Sequence, residues 1–261
     1  MREKRELCGR TAAITGASSG IGRAIAIALA EAGAHCFVHA RQNQEGAQQT
    51  AELVRAHGVD SNVFLADLTL ELNCDDLVRK AWQWRDGVDI WVNNAGTDVL
   101  TGAARNWSFA AKLEQLWLMD VRGTMHLSRS VGHKMKERGR GIILNMGWDQ
   151  AERGMEGDSG ELFAAIKGAI TCFSRSLAQS LAPAVRVNCL APGWIQTSWG
   201  VAAPDHWQHR AKKESLLNRW GTDADVAQVA RFLASDAAAF VNGQVIPING
   251  GFRYGATSHD Q

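Results

Sequence analysis

Tyrosine is almost absent from this chain: Tyr254 is the only one among 261 residues, against ten tryptophans. Proline is nearly as scarce at 4, and the 26 glycines follow no repeat. That excludes a collagenous or proline-rich chain and argues against broad disorder. Charge of one sign is also lacking. The 28 Lys+Arg balance 27 Asp+Glu to leave +1, so no global electrostatic grip on nucleic acid or an anionic membrane is expected. No apolar run approaches the ~20 residues of a membrane helix. Met1–Leu7 carries no apolar stretch, so no secretory signal is expected either. The five cysteines, from Cys8 to Cys189, show no Cys-x-x-Cys spacing. They read as reduced thiols of a cytoplasmic protein, not as a disulfide framework or a metal site.

What is present is alternation. Short apolar runs at Thr11–Thr15, Cys36–His39, Asn62–Ala66, Val88–Val92, Gly141–Met146, Val185–Leu190 and Gln244–Ile248 read as strands. The first six are largely apolar on both faces, as in a parallel sheet covered by helices. Between them, Gly22–Ala32, Asn43–His57, Cys74–Trp84, Lys112–Lys136, Glu161–Leu181 and Asp223–Ser235 read as helical. The pattern predicts a single doubly wound (Rossmann-like) α/β domain over 1–261, with a parallel sheet of about seven strands. Residues 194–221 depart from the rhythm. An insertion there, at the carboxyl end of the sixth strand, is placed to bind a ligand.

Thr15-Gly16-Ala17-Ser18-Ser19-Gly20-Ile21-Gly22 lies between the first strand and the first helix. Glycines there allow a tight turn and a close approach to a pyrophosphate, which the helix amino terminus stabilises. The spacing of these glycines resembles that of the short-chain dehydrogenase/reductase family. Three later motifs extend the resemblance across Gly9 to Phe252: Asn93-Asn94-Ala95-Gly96, the segment Pro192-Gly193-Trp194-Ile195-Gln196-Thr197, and Asn249-Gly250-Gly251. The resemblance implies a nicotinamide cofactor held by Gly16, Ser18, Ser19, Gly20, Ile21 and Gly22, with Asn94, Ala95 and Gly96 beside them. Asp67 and Leu68 would meet the adenine. Pro192, Gly193, Ile195 and Thr197 would hold the nicotinamide carboxamide, and Lys167 the ribose. It also implies a homotetramer or dimer, with an interface on the long helices near Lys112–Lys136 and Glu161–Leu181.

The second strand ends Phe37-Val38-His39-Ala40-Arg41. Ala40 stands where the family carries an acidic residue for the ribose 2′-hydroxyl, and a cation follows. Arg41 therefore favours NADP over NAD, with Arg23 a weaker second candidate for the 2′-phosphate.

At the chemistry end the family pattern breaks. The family uses a Tyr as acid/base, a Lys four residues later, a Ser that orients substrate and an Asn that holds a relay water. Lys167 is present, but Phe163 stands four residues before it, on the same helix face. Trp148 and Gly147 fall where the family has its two serines, and Asp120 falls at the Asn. An Asp with the Lys kept and the Tyr absent is similar to the peroxisomal-type 2,4-dienoyl-CoA reductases. Two readings follow. In one, an NADP(H)-dependent oxidoreductase reduces a conjugated C=C or a carbonyl of an apolar small molecule, with Lys167 and Asp120 as its catalytic groups. In the other, the chain binds NADP(H) without turnover, as a sensor or scaffold. Asp149, Glu152, Asp158 and Glu161 crowd the vacant Tyr site, and one of them could replace the acid if burial raised its pKa. Ser159 reads as a helix cap. Trp148, Phe163, Trp194, Trp199 and Trp207 are expected to cluster as an apolar substrate pocket. Basic residues from His206 to Lys213 either meet an anionic tail or are solvated.

Overall fold

Strands and helices alternate along the chain, of which the computed structural model describes residues 5–197, 200 and 203–253. Trp199 and Tyr254 lie outside the described residues. Strands β1 (Thr11–Ile14), β2 (His35–Ala40), β3 (Ser61–Leu65), β4 (Ile90–Asn93), β5 (Gly141–Met146), β6 (Val185–Pro192) and β7 (Val245–Ile248) form one parallel sheet. Their order is β3-β2-β1-β4-β5-β6-β7. The chain runs outward from β1 to β3, then returns to β4 on the other side of β1. That reversal opens a crevice outside the carboxyl ends of β1 and β4, the ligand site of such sheets. Ile14 is level with Val38 of β2 and Val92 of β4, and Asn93 with Asn145 of β5, so four strands end side by side at the crevice.

Helices cover both faces. Among the described residues they are α1 (Gly20–Glu31), α2 (Gln44–Arg55), α3 (Glu71–Trp84), α4 (Phe109–Leu116), α5 (Thr124–Glu137), α6 (Asp158–Leu181), α7 (Asp205–Glu214) and α8 (Asp223–Ala234). Strand periodicity sorts the core into two layers. Ala12 and Ile14 of β1, Ile90 and Val92 of β4, and Ile142 and Leu144 of β5 pack with α1 and α8. Ala13, Trp91 and Ile143, one residue out of phase, pack with α3 and α5. Each such buried Val, Leu or Ile side chain contributes on the order of 1.5–3 kcal/mol. β3 corrects the expectation of a strand apolar on both faces: it is the sheet edge, with Leu65 partly exposed.

A buried polar network ties the central strands to the helices that carry the site. Asn93 Nδ2 donates to Ser128 Oγ of α5 and to Asn145 Oδ1 of β5, both at 2.8 Å, and Asn145 Nδ2 donates to Ser174 Oγ of α6 at 2.9 Å. Fully satisfied networks of this kind rigidify a core.

Two element boundaries differ from expectation. The helical stretch expected over Lys112–Lys136 is interrupted by a π-helical turn, Trp117–Gly123, between α4 and α5. Gly123 packs against the Leu68 carbonyl there, where a Cβ would lie 3.1 Å from the oxygen. Helix α6 begins at Asp158, and its N-cap is Gly157 with no side-chain bond, so Ser159 is not the cap. The insertion after β6 is closed at its base. Gly221 N donates to the Trp194 carbonyl at 2.8 Å, and Gln196 N to the Gly221 carbonyl at 2.8 Å. No helix among the described residues is long and apolar enough to cross a membrane, and no cluster of His, Cys, Asp and Glu among them is placed to hold a metal ion.

Candidate active site

The turn after β1 is built around backbone proximity. A Cβ at Gly16 would lie 2.7 Å from Ala95 Cα, and one at Gly22 would lie 2.3 Å from the Gly16 carbonyl oxygen. Only glycine fits either place, and Gly16 also has φ +64°. Asn94 clamps the turn by donating from Nδ2 to the carbonyls of Thr15 and Gly16, each at 3.0 Å. Thr15 Oγ1 in turn accepts from the Asn94 and Ala95 amides, at 3.0 Å each. The result is a cleft of about 480 Å³ whose walls include Gly16, Ser18, Ser19, Arg41, Asn94 and Ala95. With the amino end of α1 beside it, this cradle fits a dinucleotide pyrophosphate.

Sequence reasoning missed His39. It is buried, accepts the Gly16 N–H at Nδ1 (3.3 Å) and donates from Nε2 to the Ala66 carbonyl (3.0 Å). Burial pulls its pKa down to about 4, so it stays neutral and serves as a strut under the glycine turn. The only signal for it was its place beside Ala40 at the end of β2.

Arg41 stands half-exposed at the cleft rim and donates from Nε to Asp67 Oδ2 at 3.0 Å. Burial opposes ionisation of Asp67, but Thr69 and then Arg41 outweigh it and hold the carboxyl below its usual range. Arg23 is not a phosphate ligand as arranged. Its guanidinium ties Ser18 and Gly46 carbonyls and the Thr50 hydroxyl together, joining the turn to α2. Leu68 is buried in the α3/α5 layer and Ile21 packs against the α1/α8 layer, so neither side chain lines the cleft.

The π-turn delivers Asp120 to the same edge. Its side chain is 2% exposed, with Oδ1 accepting from Lys167 Nζ at 2.8 Å and Oδ2 from the Thr97 amide at 2.9 Å. Lys167, 14% exposed, reaches it from α6. Gly96 makes room, since a Cβ there would lie 2.9 Å from Asp120 Oδ1. The two candidate catalytic residues therefore meet as a sheltered ion pair. π-Turns are often found at functional sites.

Phe163 and Trp148 stand where the phenol and the second serine were expected. Their rings meet edge-on, with centroids 6.3 Å apart. Gly147 cannot regain a side chain without movement, because a Cβ would lie 2.7 Å from Cys189 Sγ and 3.2 Å from Thr171 Oγ1. Of the four acids considered nearby, Glu152, Asp158 and Glu161 are exposed and Asp149 is not. Asp149 Oδ2 accepts from Asn249 Nδ2 at 2.9 Å and lies against Gly193, while its buried Oδ1 has no hydrogen-bond partner among the described residues. Burial pushes its pKa up to about 6, against the pull of the Asn249 bond.

Beyond β6, Gly193 N donates to the Ile248 carbonyl at 3.0 Å and sets Pro192-Gly193 against the end of β7. Ile195 is buried, and the Thr197 amide donates to the Ile195 carbonyl at 2.8 Å. Of the aromatic side chains expected to cluster, Trp199 lies outside the described residues. Among the described residues they fall into two groups: Trp148 with Phe163, and Trp194 with Trp207 and Trp220 at centroid distances of 5.4 and 5.9 Å. Trp220 was not foreseen. It is nearly fully buried just before Gly221, a position that carried no motif.

Comparison with known proteins agrees with this architecture. Residues 16–253 match the family described as Enoyl-(Acyl carrier protein) reductase. The chain is 30% identical over 252 residues to the 3-oxoacyl-(acyl-carrier-protein) reductase FabG of Aquifex aeolicus (strain VF5), covering 94% of this chain and 98% of that one. Among solved structures it is similar to a 7α-hydroxysteroid dehydrogenase complexed with NADH and 7-oxo glycochenodeoxycholic acid, with a TM-score of 0.86, 30% identity and coverage of 95% and 96%. It is also similar to a protein described as an NAD(P)-dependent gluconate 5-dehydrogenase from Beutenbergia cavernae, with bound NADP, at a TM-score of 0.84, 33% identity and coverage of 95% and 98%. The cofactors of the two solved neighbours thus differ, NADH in one and NADP in the other.

Proposed function

This chain belongs to the short-chain dehydrogenase/reductase family, and from that premise we propose that it is an NADP(H)-dependent oxidoreductase that reduces a conjugated C=C bond of an apolar small molecule. The observation that carries the reading is the sheltered Lys167–Asp120 pair beside a site whose phenol and serine positions hold Phe163 and Trp148. Neither aromatic side chain has a proton to give. Adding hydride to a conjugated C=C sends the negative charge to a distant carbonyl oxygen, so the acid need not sit beside the reacting carbon.

When bound, NADPH supplies the hydride. Arg41 supports the choice of NADP(H) over NAD(H) by offering a cation to the 2′-phosphate next to neutral Ala40. Gly16, Ser18, Ser19, Gly20, Ile21 and Gly22 would hold the pyrophosphate with α1, Ile21 through its backbone. Asn94, Ala95, Gly96, Asp67 and the Leu68 backbone would border the nucleotide half, and Pro192, Gly193, Ile195 and Thr197 the nicotinamide half. Lys167 has three N–H donors and gives one to Asp120, leaving two for a ribose hydroxyl and the substrate oxygen. A preorganised donor aimed at a developing oxyanion typically contributes ~10²–10³ in rate. Asp120, with both oxygens accepting N–H bonds, acts as a positioning residue for that ammonium. The proton would come from Asp149, the one of the four nearby acids that is sheltered, its pKa pushed up to about 6 by burial. Trp148, Phe163 and Trp194 would line the substrate pocket, and Trp199, outside the described residues, keeps its place there only as an expectation from the sequence.

A second reading, NADP(H) binding without turnover, draws on the same aromatic filling of the acid site. NADPH oxidation followed over a panel of conjugated enones and enoyl thioesters separates the two. The proposed enzyme consumes NADPH with at least one acceptor, and the silent binder with none. We also expect one domain over 1–261, a homotetramer or dimer and a cytoplasmic location. We expect neither a nucleic-acid nor a membrane partner.

A further inference from the structure

Arg210 is oddly placed for a surface cation. It rises from α7, inside the insertion that follows Pro192-Gly193, and its guanidinium carbon lies 5.3 Å from the Trp207 ring centroid and 6.0 Å from that of Trp194. Its Nε donates to Glu214 Oε1 at 2.7 Å, and the other Glu214 oxygen accepts from Trp194 Nε1 at 2.7 Å. Glu214, its side chain only 10% exposed, is thus fixed on both oxygens and balances the Arg210 charge. The outward fork of the guanidinium is occupied differently. Nη1 and Nη2 grip both oxygens of Glu156, at 2.7 and 3.4 Å. Glu156 comes from the loop between β5 and α6, and its side chain is 74% exposed. This contact joins the two segments that carry the pocket residues, Trp148 and Phe163 on one side and Trp194 on the other.

An exposed ion pair contributes little, because its carboxylate loses little by returning to water. A planar fork backed by two indole rings is, however, a geometry suited to bidentate recognition of a carboxylate. We propose that Arg210 is the substrate's anion anchor, that the substrate of this enzyme bears a carboxylate on a flat apolar body, and that Glu156 stands in for it when the pocket is empty. This rests on the reading of the site as one that reduces a conjugated small molecule, and it adds the charge that reading lacks.

The test is a binding measurement that needs no turnover. trans-3-Benzoylacrylate, an aryl enone with a carboxylate, and its methyl ester are titrated against the protein saturated with NADP⁺, with tryptophan fluorescence as the readout. The wild-type protein should bind the acid saturably and at least 5-fold more tightly than the ester. Glu156→Gln, which frees the fork without altering it, should tighten the acid by 3-fold or more and leave the ester unchanged. Arg210→Gln should weaken the acid by 10-fold or more and leave the ester unchanged. A merely structural clasp would not produce tighter binding on loss of Glu156. Equal binding of acid and ester, no effect of Glu156→Gln, or no saturable binding of the acid by either the wild-type or the Glu156→Gln protein would overturn the proposal. Those results leave NADPH oxidation with uncharged acceptors untouched, so failure of the anchor and failure of the enzyme reading are told apart.

Discussion

Asp149 and His39 are both sheltered from water, one at each half of the crevice, and their titrations run in opposite directions. Folding raises the Asp149 pKa from 3.8 to about 6, so its contribution to stability is present below pH 3.8 and lost as pH rises through about 6. Folding lowers the His39 pKa from 6.5 to about 4, so its contribution is present above pH 6.5 and lost as pH falls through about 4. Each amounts to about 3 kcal/mol, and in the wild-type protein the two largely offset one another over the shared window. Asp149→Asn should therefore expose the His39 slope. Urea unfolding between pH 4 and pH 7 should show the variant gaining stability on the wild type as pH rises, and parallel curves would contradict the buried acid. Arg41 carries a second prediction. Fluorescence titration should find NADPH bound more tightly than NADH, and Arg41→Asp should reverse the order by removing the cation and supplying a ribose acceptor. Asp120, Lys167, Phe163 and Trp148 were legible in the sequence because family spacing places them. His39 was not, and Asp149 could not be told from Glu152, Asp158 and Glu161, because what distinguishes each is burial, a property set by elements far away in the chain.

Strands were legible within two residues and long helices within three, since period-2 and period-3.6 patterns report which face is buried. The π-turn at Trp117–Gly123 was not. One extra residue per turn leaves no mark on an apolar pattern, yet it decides where Asp120 points. The glycine turn is the opposite case, with every constraint local. At Gly22 an added methyl would lie 2.3 Å from the Gly16 carbonyl oxygen and 2.5 Å from Asn94 Nδ2, so the turn and its clamp must both shift. Gly22→Ala should cost about 1–3 kcal/mol of stability through overpacking and weaken NADPH binding by ~100-fold or more, read by the same titration. Unchanged affinity would show that the turn does not hold the pyrophosphate. The division of the aromatic rings into two groups also belongs to this scale. It follows from α7 carrying Trp207 back over Trp194, a fold within the insertion that no periodicity announced.

At the scale of the whole molecule, the sheet order and the covering of both its faces follow from strand–helix alternation and right-handed crossovers. Assembly is a separate matter. Phe109, Leu113 and Trp117, on and just beyond α4, leave apolar surface in water that a second copy would cover. Light scattering on the eluting protein should find a dimer or tetramer, and a monomer at micromolar concentration would remove that expectation. The central claim is that the Lys167 ammonium, held in place by Asp120, stabilises the oxyanion formed at a site that has no phenol. Steady-state NADPH oxidation with a conjugated acceptor tests it most directly, for wild-type protein beside Asp120→Asn, with thermal unfolding run on both to establish that each is folded. Asp120→Asn keeps the shape and the Thr97 contact but loosens the ammonium. The expected result is a fall in kcat of ~10²–10³ that exceeds the loss of NADPH affinity from the loosened ribose contact, whereas wild-type turnover that survives Asp120→Asn, or no turnover with any conjugated acceptor, would contradict it.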